Sequence, residues 1–194
     1  MIMKNESYKK DVKIYLTGKP GVGKTTCIRK IVEGIRSAGR EPEPNIRGFF
    51  TEEIREKGRR VGFAAENFEG EREILSHIKV SSPLRVGKYR VDVKSFEKIA
   101  IPALDIATTE YPTVFVIDEI GKMECFSSKF REHVKRVSSS TYPVVATMPV
   151  KKPSFVEDIC SAPEAEVIEI STDNRDDIPS RVVETILQVL PDEE

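Results

Sequence analysis

Short apolar runs alternate along this chain with longer stretches in which apolar residues recur every three or four positions. The first run, Val12–Leu16, predicts a buried strand. The stretch that follows predicts a helix that ends near Gly39, and one face of this helix bears Ile28, Ile31, Val32 and Ile35. The same patterns predict later strands at Thr113–Asp118, Tyr142–Met148 and Ala165–Ile170, with helices that begin near Ser95, at Ser127 or Ser128, at Pro153 and at Pro179.

The middle of the chain, from about residue 46 to 93, has the pattern of antiparallel strands. Two apolar-rich halves of residues 46–68 flank a Glu-Lys-Gly sequence at 56–58, which predicts a β-hairpin turn. Glu71–Val80 and Tyr89–Val93 are further strand candidates. Pro102 interrupts the helix expected from Ser95, so that helix breaks there or a new one begins at the proline.

Strands that alternate with helices predict right-handed crossovers and a mostly parallel sheet with helices on both faces. We therefore expect an α/β fold of three layers, with a β-rich antiparallel insertion at about 46–93. The length of 194 residues fits one domain that spans residues 1–194, with a loose lead-in at Met1–Lys10 and a frayed tail at Asp192–Glu194.

Composition narrows the classes of partner and compartment. Lys and Arg total 31 and Asp and Glu total 32, so the formal net charge of −1 gives no overall attraction to nucleic acid or anionic membranes. The 3 cysteines include no C-x-x-C pair, which favours reduced thiols over disulfides or zinc. Because the N-terminus lacks an apolar signal core and no apolar run has transmembrane length, we expect a cytoplasmic protein with no membrane partner.

Residues 18–25 fit the phosphate-binding pattern G-x-x-x-x-G-K-[ST] between the first strand and the first helix. Glycines allow the backbone to approach a ligand closely, and the loop N–H groups and the helix N-terminus point at the same anion. Lys24 is placed to reach the β- and γ-phosphates, and the Thr25 hydroxyl to ligate Mg²⁺. The predicted nucleotide-binding residues are Gly18, Lys19, Pro20, Gly21, Val22, Gly23, Lys24, Thr25 and Thr26.

The strand Thr113–Asp118 ends in two acidic residues. Because ligands of parallel sheets bind at the carboxyl ends of the strands, Asp118 and Glu119 are expected beside the phosphate loop, together with Thr147. Asp118 would hold Mg²⁺, and Glu119 would orient and deprotonate an attacking water. The alternative is an ordinary strand that ends in two solvated acids.

Three basic residues are candidates for stabilising the charge that develops on the γ-phosphate. Lys122 is the first of them, with a plain surface lysine as the equal alternative, and Arg29 and Arg55 are weaker candidates. Phe49 and Phe50 could stack on a nucleobase or RNA, but we expect them to pack in the core, which leaves RNA as a partner without support.

Five motifs in a fixed order resemble a known family: GKPGVGKTT, RGFFTEEIR, GKYRVD, VIDEIGKME and NRDDIP. The chain resembles the small nucleoside-triphosphatase family first described from thermophiles, which includes the cancer-related nucleoside-triphosphatase of eukaryotes. The resemblance implies a P-loop NTPase core of the RecA/AAA-like type. Such cores have an extra strand between the loop strand and the Asp118 strand, and Tyr142–Met148 is the candidate.

The family also implies an activity. It implies Mg²⁺-dependent hydrolysis of ATP, GTP, CTP and UTP with broad base tolerance. The family's site matches Lys24, Thr25, Asp118 and Glu119, and the segment with Asn174 and Arg175 is expected near the base.

Three functional classes remain open at this point. A triphosphatase uses water as the nucleophile, and Glu119 favours it. A nucleotide or polynucleotide kinase would transfer the γ-phosphate to an acceptor, but the arginine-containing segments at 55–60 and 85–90 fall in the β-rich insertion and not in a lid. A non-hydrolytic nucleotide sensor would have no need of Glu119. We expect a monomer.

Overall fold

The computed structural model describes residues 11–110 and 112–190, so the expected lead-in Met1–Lys10 and tail Asp192–Glu194 lie outside the described residues. The strands are β1 (Lys13–Thr17), β2 (Asn45–Glu56), β3 (Arg59–Asn67), β4 (Arg72–His77), β5 (Arg85–Val86), β6 (Tyr89–Val91), β7 (Thr113–Asp118), β8 (Val144–Met148) and β9 (Ala165–Glu169). They form a nine-stranded sheet with the order β5-β6-β4-β3-β2-β7-β8-β1-β9.

The parallel half of this sheet has the arrangement that the resemblance implies. β8 pairs in parallel with β1 on one side and with β7 on the other, and β9 pairs in parallel with β1 at the edge. The prediction of an extra strand between the loop strand and the Asp118 strand is therefore confirmed. The carboxyl ends of β1, β7 and β8 lie together at one rim.

The antiparallel half begins later than the sequence pattern predicts. Residues 45–50 of β2 pair in parallel with β7, and only residues 49–56 pair antiparallel with β3. The expectation that antiparallel pairing starts at about residue 46 is therefore wrong for the first part of β2. The hairpin turn lies at residues 57–58 as predicted, where Lys57 and Gly58 have φ of 48° and 77°. The strand expected at Glu71–Val80 is the shorter β4.

The helices are α1 (Lys24–Arg36), α2 (Val93–Ala103), α3 (Ser128–Ser138), α4 (Ser154–Cys160) and α5 (Ile178–Val189). Ser127 caps α3, since its hydroxyl accepts the N–H of Phe130 at 3.0 Å. The helix expected to begin near Ser95 begins two residues earlier, because the carboxylate of Asp92 caps α2 and accepts the N–H of Ser95 at 3.1 Å. Pro102 lies in the last turn of α2, which ends one residue later.

Two apolar cores, one on each face of the sheet, confirm the three-layer α/β fold. α1 and α5 cover one face, where the alternating strand residues Ile14 and Leu16 are buried. α2, α3 and α4 cover the other face, where Tyr15 and Phe49 are buried. The ring of Phe49 lies 5.4 Å from that of Phe96, so the expectation that Phe49 packs in the core is confirmed.

Candidate active site

The phosphate loop connects β1 to α1 at the carboxyl rim of the sheet. Gly21 and Gly23 have φ of 79° and 113°, a conformation that residues with a β-carbon rarely adopt. A β-carbon on Gly18 would lie 2.8 Å from the carbonyl oxygen of Ile170, so the loop can pack against the segment after β9 only with glycine there. The N-terminus of α1 therefore opens directly onto the loop, as an anion site requires.

Asp118, the last residue of β7, is buried beside this loop with an exposed fraction of 2%. The Thr147 hydroxyl donates to its Oδ1. Its Oδ2 is buried with no hydrogen-bond partner among the described residues. Burial raises the pKa of Asp118, while Thr147, Thr25 and the charge of Lys24 oppose that rise.

Glu119 faces the loop lysine. Its Oε2 lies 3.8 Å from Nζ of Lys24, and the same Nζ donates to the carbonyl oxygen of Gly18 at 3.3 Å. The side chain of Glu119 is 31% exposed, so it borders solvent while the neighbouring Asp118 does not. Burial raises the pKa of Glu119, and the charge of Lys24 opposes the rise. The structure thus brings Lys24, Thr25, Asp118 and Glu119 together as the sequence predicts.

These residues line a cleft of about 740 Å³, called the phosphate-loop cleft below. One wall is the loop itself, and the opposite wall comes from the hairpin of β2 and β3 and from the segment after β8. Sequence reasoning did not assign the following residues of that wall to the site: Thr51, Glu52, Glu53, Arg60, Phe63, Pro149 and Val150. The motif RGFFTEEIR was the sequence signal for this wall. It is one of the five motifs that resemble the family, and no role had been assigned to it.

Ion pairs hold the two arginines of the cleft in place. Arg60 pairs with Glu53 at 2.6 Å and donates to the Tyr89 hydroxyl at 2.9 Å. Arg29 pairs with Glu52 and stacks over the ring of Phe50 at 4.2 Å. Both guanidinium groups are therefore fixed on the hairpin wall, opposite the loop.

The remaining predicted residues lie at different distances from the cleft. Arg175 is beside the phosphate loop, with its guanidinium 3.5 Å from the carbonyl oxygen of Val22. The Asn174 amide spans its own turn, since it donates to the carbonyl of Glu169 at 2.9 Å and accepts the N–H of Ser171 at 2.8 Å. Lys122 is exposed and is not among the described residues that line the cleft.

Glu124 is an acidic residue of the cleft that ends the motif VIDEIGKME, and the sequence alone assigned it no role. It is 4% exposed and lies in a short helical turn after Gly121. Burial, helped by the charges of Glu119 and Asp118, raises the pKa of Glu124 to about 8. At neutral pH the Glu124 side chain is therefore protonated in most molecules.

The described residues also bear on membranes and metals. Within residues 11–110 and 112–190, no helix is long and apolar enough to cross a membrane. The same ranges contain no group of three or more His, Cys, Asp or Glu side chains arranged to hold a metal ion. Thr25 and Asp118 are oxygen-bearing side chains at this rim, and hydroxyl and carboxylate oxygens are ligands that Mg²⁺ accepts.

Comparisons with known proteins agree with this geometry. A family model described as NTPase matches residues 13–183. The chain is 42% identical over 172 residues to nucleoside-triphosphatase THEP1 of Thermotoga petrophila, covering 89% of this chain and 91% of the relative. It is 38% identical over 182 residues to the human cancer-related nucleoside-triphosphatase, covering 88% and 94%.

A solved structure agrees as well. The crystal structure of THEP1 from the hyperthermophile Aquifex aeolicus matches with a TM-score of 0.79 and 39% identity, over 90% of this chain and 99% of that chain. Sequence motifs, sheet order and these comparisons agree, and the chain belongs to the NTPase family.

Proposed function

We propose that this protein hydrolyses nucleoside triphosphates to the diphosphate and phosphate, with water as the nucleophile. The observation that supports this most directly is Glu119, a partly exposed carboxylate 3.8 Å from the phosphate-loop lysine Lys24. A carboxylate at that position borders the place where a γ-phosphate meets solvent. A nucleotide sensor would gain nothing from it, whereas a hydrolase needs a group to orient water.

Each residue of the loop region has a role in this reaction. The loop N–H groups at residues 18–25 and the N-terminus of α1 bind the phosphates. Lys24 leaves its contact with Glu119 and turns to the β- and γ-phosphate oxygens. Glu119 then accepts a proton from the water that attacks the γ-phosphorus, while the bond to the β-phosphate oxygen breaks.

The residues at the rim fit a magnesium ion. Thr25 and Asp118 are the oxygen donors that would hold it, and the buried Oδ2 of Asp118 lacks another partner among the described residues. When bound, Mg²⁺ neutralises charge on the β- and γ-phosphates. The hydroxyl of Thr147 keeps the Asp118 carboxylate oriented.

Substrates are proposed to be ATP, GTP, CTP and UTP. Base recognition needs free donors and acceptors at the base, but both polar ends of the Asn174 amide are engaged with backbone groups. Arg175 beside the loop presents a charge and a planar face, which do not distinguish between bases. This arrangement supports broad base tolerance.

Phosphate release is the experiment that tests the proposal. Purified protein is incubated with each of the four triphosphates, with Mg²⁺ or with EDTA, and with no acceptor present. Release from all four that stops with EDTA is the expected result. Tight nucleotide binding without release would reject hydrolysis, and nucleosides, nucleotides and 5′-hydroxyl RNA would then be tested as acceptors of a kinase.

The role of Glu119 is tested separately. Glu119→Gln should retain nucleotide binding and lose about 10²-fold or more in turnover, which is the size typical of a general base. A variant with full turnover would show that another group activates the water. Glu157→Gln is a matched control, because Glu157 lies on α4 and is not among the described residues that line the cleft.

A further inference from the structure

Glu124 is a further carboxyl group of the phosphate-loop cleft, and the proposed hydrolysis gives it no role. It borders the same cleft as Lys24 and Glu119, although only 4% of it is exposed. Buried glutamates are uncommon because an ionised carboxylate loses its hydration. The charged groups that act on this one are the acids Glu119 and Asp118. A buried glutamate beside two other acids is costly, and a role in the reaction would explain why it is there.

Gly121 shows how Glu119 and Glu124 face each other. A β-carbon built on Gly121 would lie 2.6 Å from Oε1 of Glu119 and 2.7 Å from Oε2 of Glu124. One oxygen of each carboxyl group therefore lies against the same face of Gly121, and the two oxygens are near enough to each other for one water to hydrogen-bond to both. Because residue 121 is glycine, the two carboxyl oxygens can approach its α-carbon this closely. Both acids also line the phosphate-loop cleft, although Gly121 is not among the described residues that line it.

We propose that Glu119 and Glu124 hold the attacking water between them, so that Glu124 is a second water-orienting residue. This inference rests on the hydrolysis proposed above. A water molecule has two O–H groups, and here one donates to Glu119 and the other to the carbonyl oxygen of Glu124. The lone pair of the water oxygen then points away from both acids and toward the γ-phosphate.

The reaction balances with this arrangement. The water oxygen forms a bond to the γ-phosphorus, and the bond from that phosphorus to the bridging oxygen breaks, with its electron pair leaving on the diphosphate. One water proton passes to Glu119. Glu124 keeps the proton that burial leaves on it at neutral pH. A neutral Glu124 adds no negative charge beside the triphosphate and does not compete with Glu119 for the water proton.

Two substitutions of Glu124 test the proposal through turnover and binding measured separately. Glu124→Leu should lower kcat for Mg²⁺-ATP about 100-fold, since a misplaced nucleophile costs about that factor, with the Kd of a fluorescent ATP analogue unchanged. Glu124→Gln should recover about tenfold of the loss, because its amide carbonyl accepts the same hydrogen bond. Glu97→Gln is the control, since Glu97 bonds Ser127 at 2.7 Å and is not among the described residues that line the cleft.

Measuring Glu124→Leu in the Glu119→Gln background distinguishes a water shared by the two acids from a structural role of Glu124. If both acids act on one water, adding Glu124→Leu there costs little further turnover, less than about threefold. Gly121→Ala places a methyl group between the two acids and should also lower kcat with nucleotide binding retained. This variant tests the same geometry if Glu124→Leu does not fold.

Three results would overturn the proposal. They are a wild-type kcat for Glu124→Leu, a loss that comes entirely from weaker nucleotide binding, and a full 100-fold further loss in the Glu119→Gln background. Full turnover of Glu119→Gln alone would instead refute the base assigned to the hydrolysis, so the two failures are distinguishable.

Discussion

Thr147→Val removes the hydroxyl that donates to Oδ1 of the buried Asp118, with almost no change in side-chain shape. Thr147 is the hydroxyl that is hydrogen-bonded to Asp118, whereas the Thr25 hydroxyl is proposed to ligate Mg²⁺. Thr147 then remains as the hydroxyl that orients the carboxylate. Losing such a support of a metal ligand typically weakens metal affinity by about 10- to 100-fold. We therefore expect the Mg²⁺ concentration at half-maximal hydrolysis to rise by that factor.

The pH dependence of this variant has a defined sign. Burial raises the pKa of Asp118 and the hydrogen bond from Thr147 lowers it, so the substitution raises this pKa further. A higher pKa means that Asp118 is protonated, and unable to bind Mg²⁺, up to a higher pH. The acid limb of kcat/KM, measured at a fixed subsaturating Mg²⁺ concentration, should therefore move to higher pH.

Thr17→Val is the matched control for this substitution. Thr17 is also a buried threonine at a strand end, with an exposed fraction of 8%, but its hydroxyl has no hydrogen-bond partner among the described residues. The same exchange there removes an unsatisfied polar group, so stability should stay constant or rise. A wild-type Mg²⁺ midpoint and acid limb in Thr147→Val, or an equal shift in Thr17→Val, would refute the role assigned to Thr147.

Three further predictions concern the loop, the buried acid and the sheet. Lys24→Ala should abolish or strongly weaken nucleotide binding in a fluorescence titration, and near-normal affinity would reject the phosphate-loop assignment. The pKa of Glu124 rises from 4.5 to about 8 on folding. The folded state therefore binds the extra proton, and stability is lost as pH rises through that range. Glu124→Gln should flatten this part of the plot of melting temperature against pH. Gly48→Ala should lower the free energy of unfolding, measured in urea, by at least about 3 kcal/mol, because its β-carbon would lie 1.8 Å from the Val116 carbonyl oxygen at a φ of 126°. Gly39→Ala is the control, because a β-carbon there has nothing within 4 Å, and it should cost about 1 kcal/mol.

The central residues of the site could be predicted because each depends on a local pattern. A glycine loop between a strand and a helix fixes the loop geometry, and an apolar strand that ends in two acids places Asp118 and Glu119 at the carboxyl rim. The position of β8 between β7 and β1 has no such local signal. It followed from the family resemblance, because strand order is decided by pairing between distant segments.

Prediction from the sequence was wrong or incomplete where two local patterns overlapped, and where pairing with a distant strand decides the position of a residue. Val91 and Val93 alternate as in a strand, so the predicted strand ran through Asp92 and hid the residue that caps α2. The hairpin wall was missed for another reason. Alternation shows that Glu52 and Arg60 lie on strands. Whether these strands lie beside the phosphate loop, however, depends on the pairing of β2 with β7.

That pairing explains how the cleft acquires its second wall. Phe50 is the residue of β2 that lies opposite Asp118, where β7 ends. β2 continues to Glu56, so six more residues, about 20 Å of extended chain, project beyond the rim at which the phosphate loop lies. Thr51 and Glu52 line the cleft because they are the first residues past the rim. The antiparallel half of the sheet is therefore built onto the edge of the phosphate site, and one continuous strand both supports Asp118 and encloses the ligand's space.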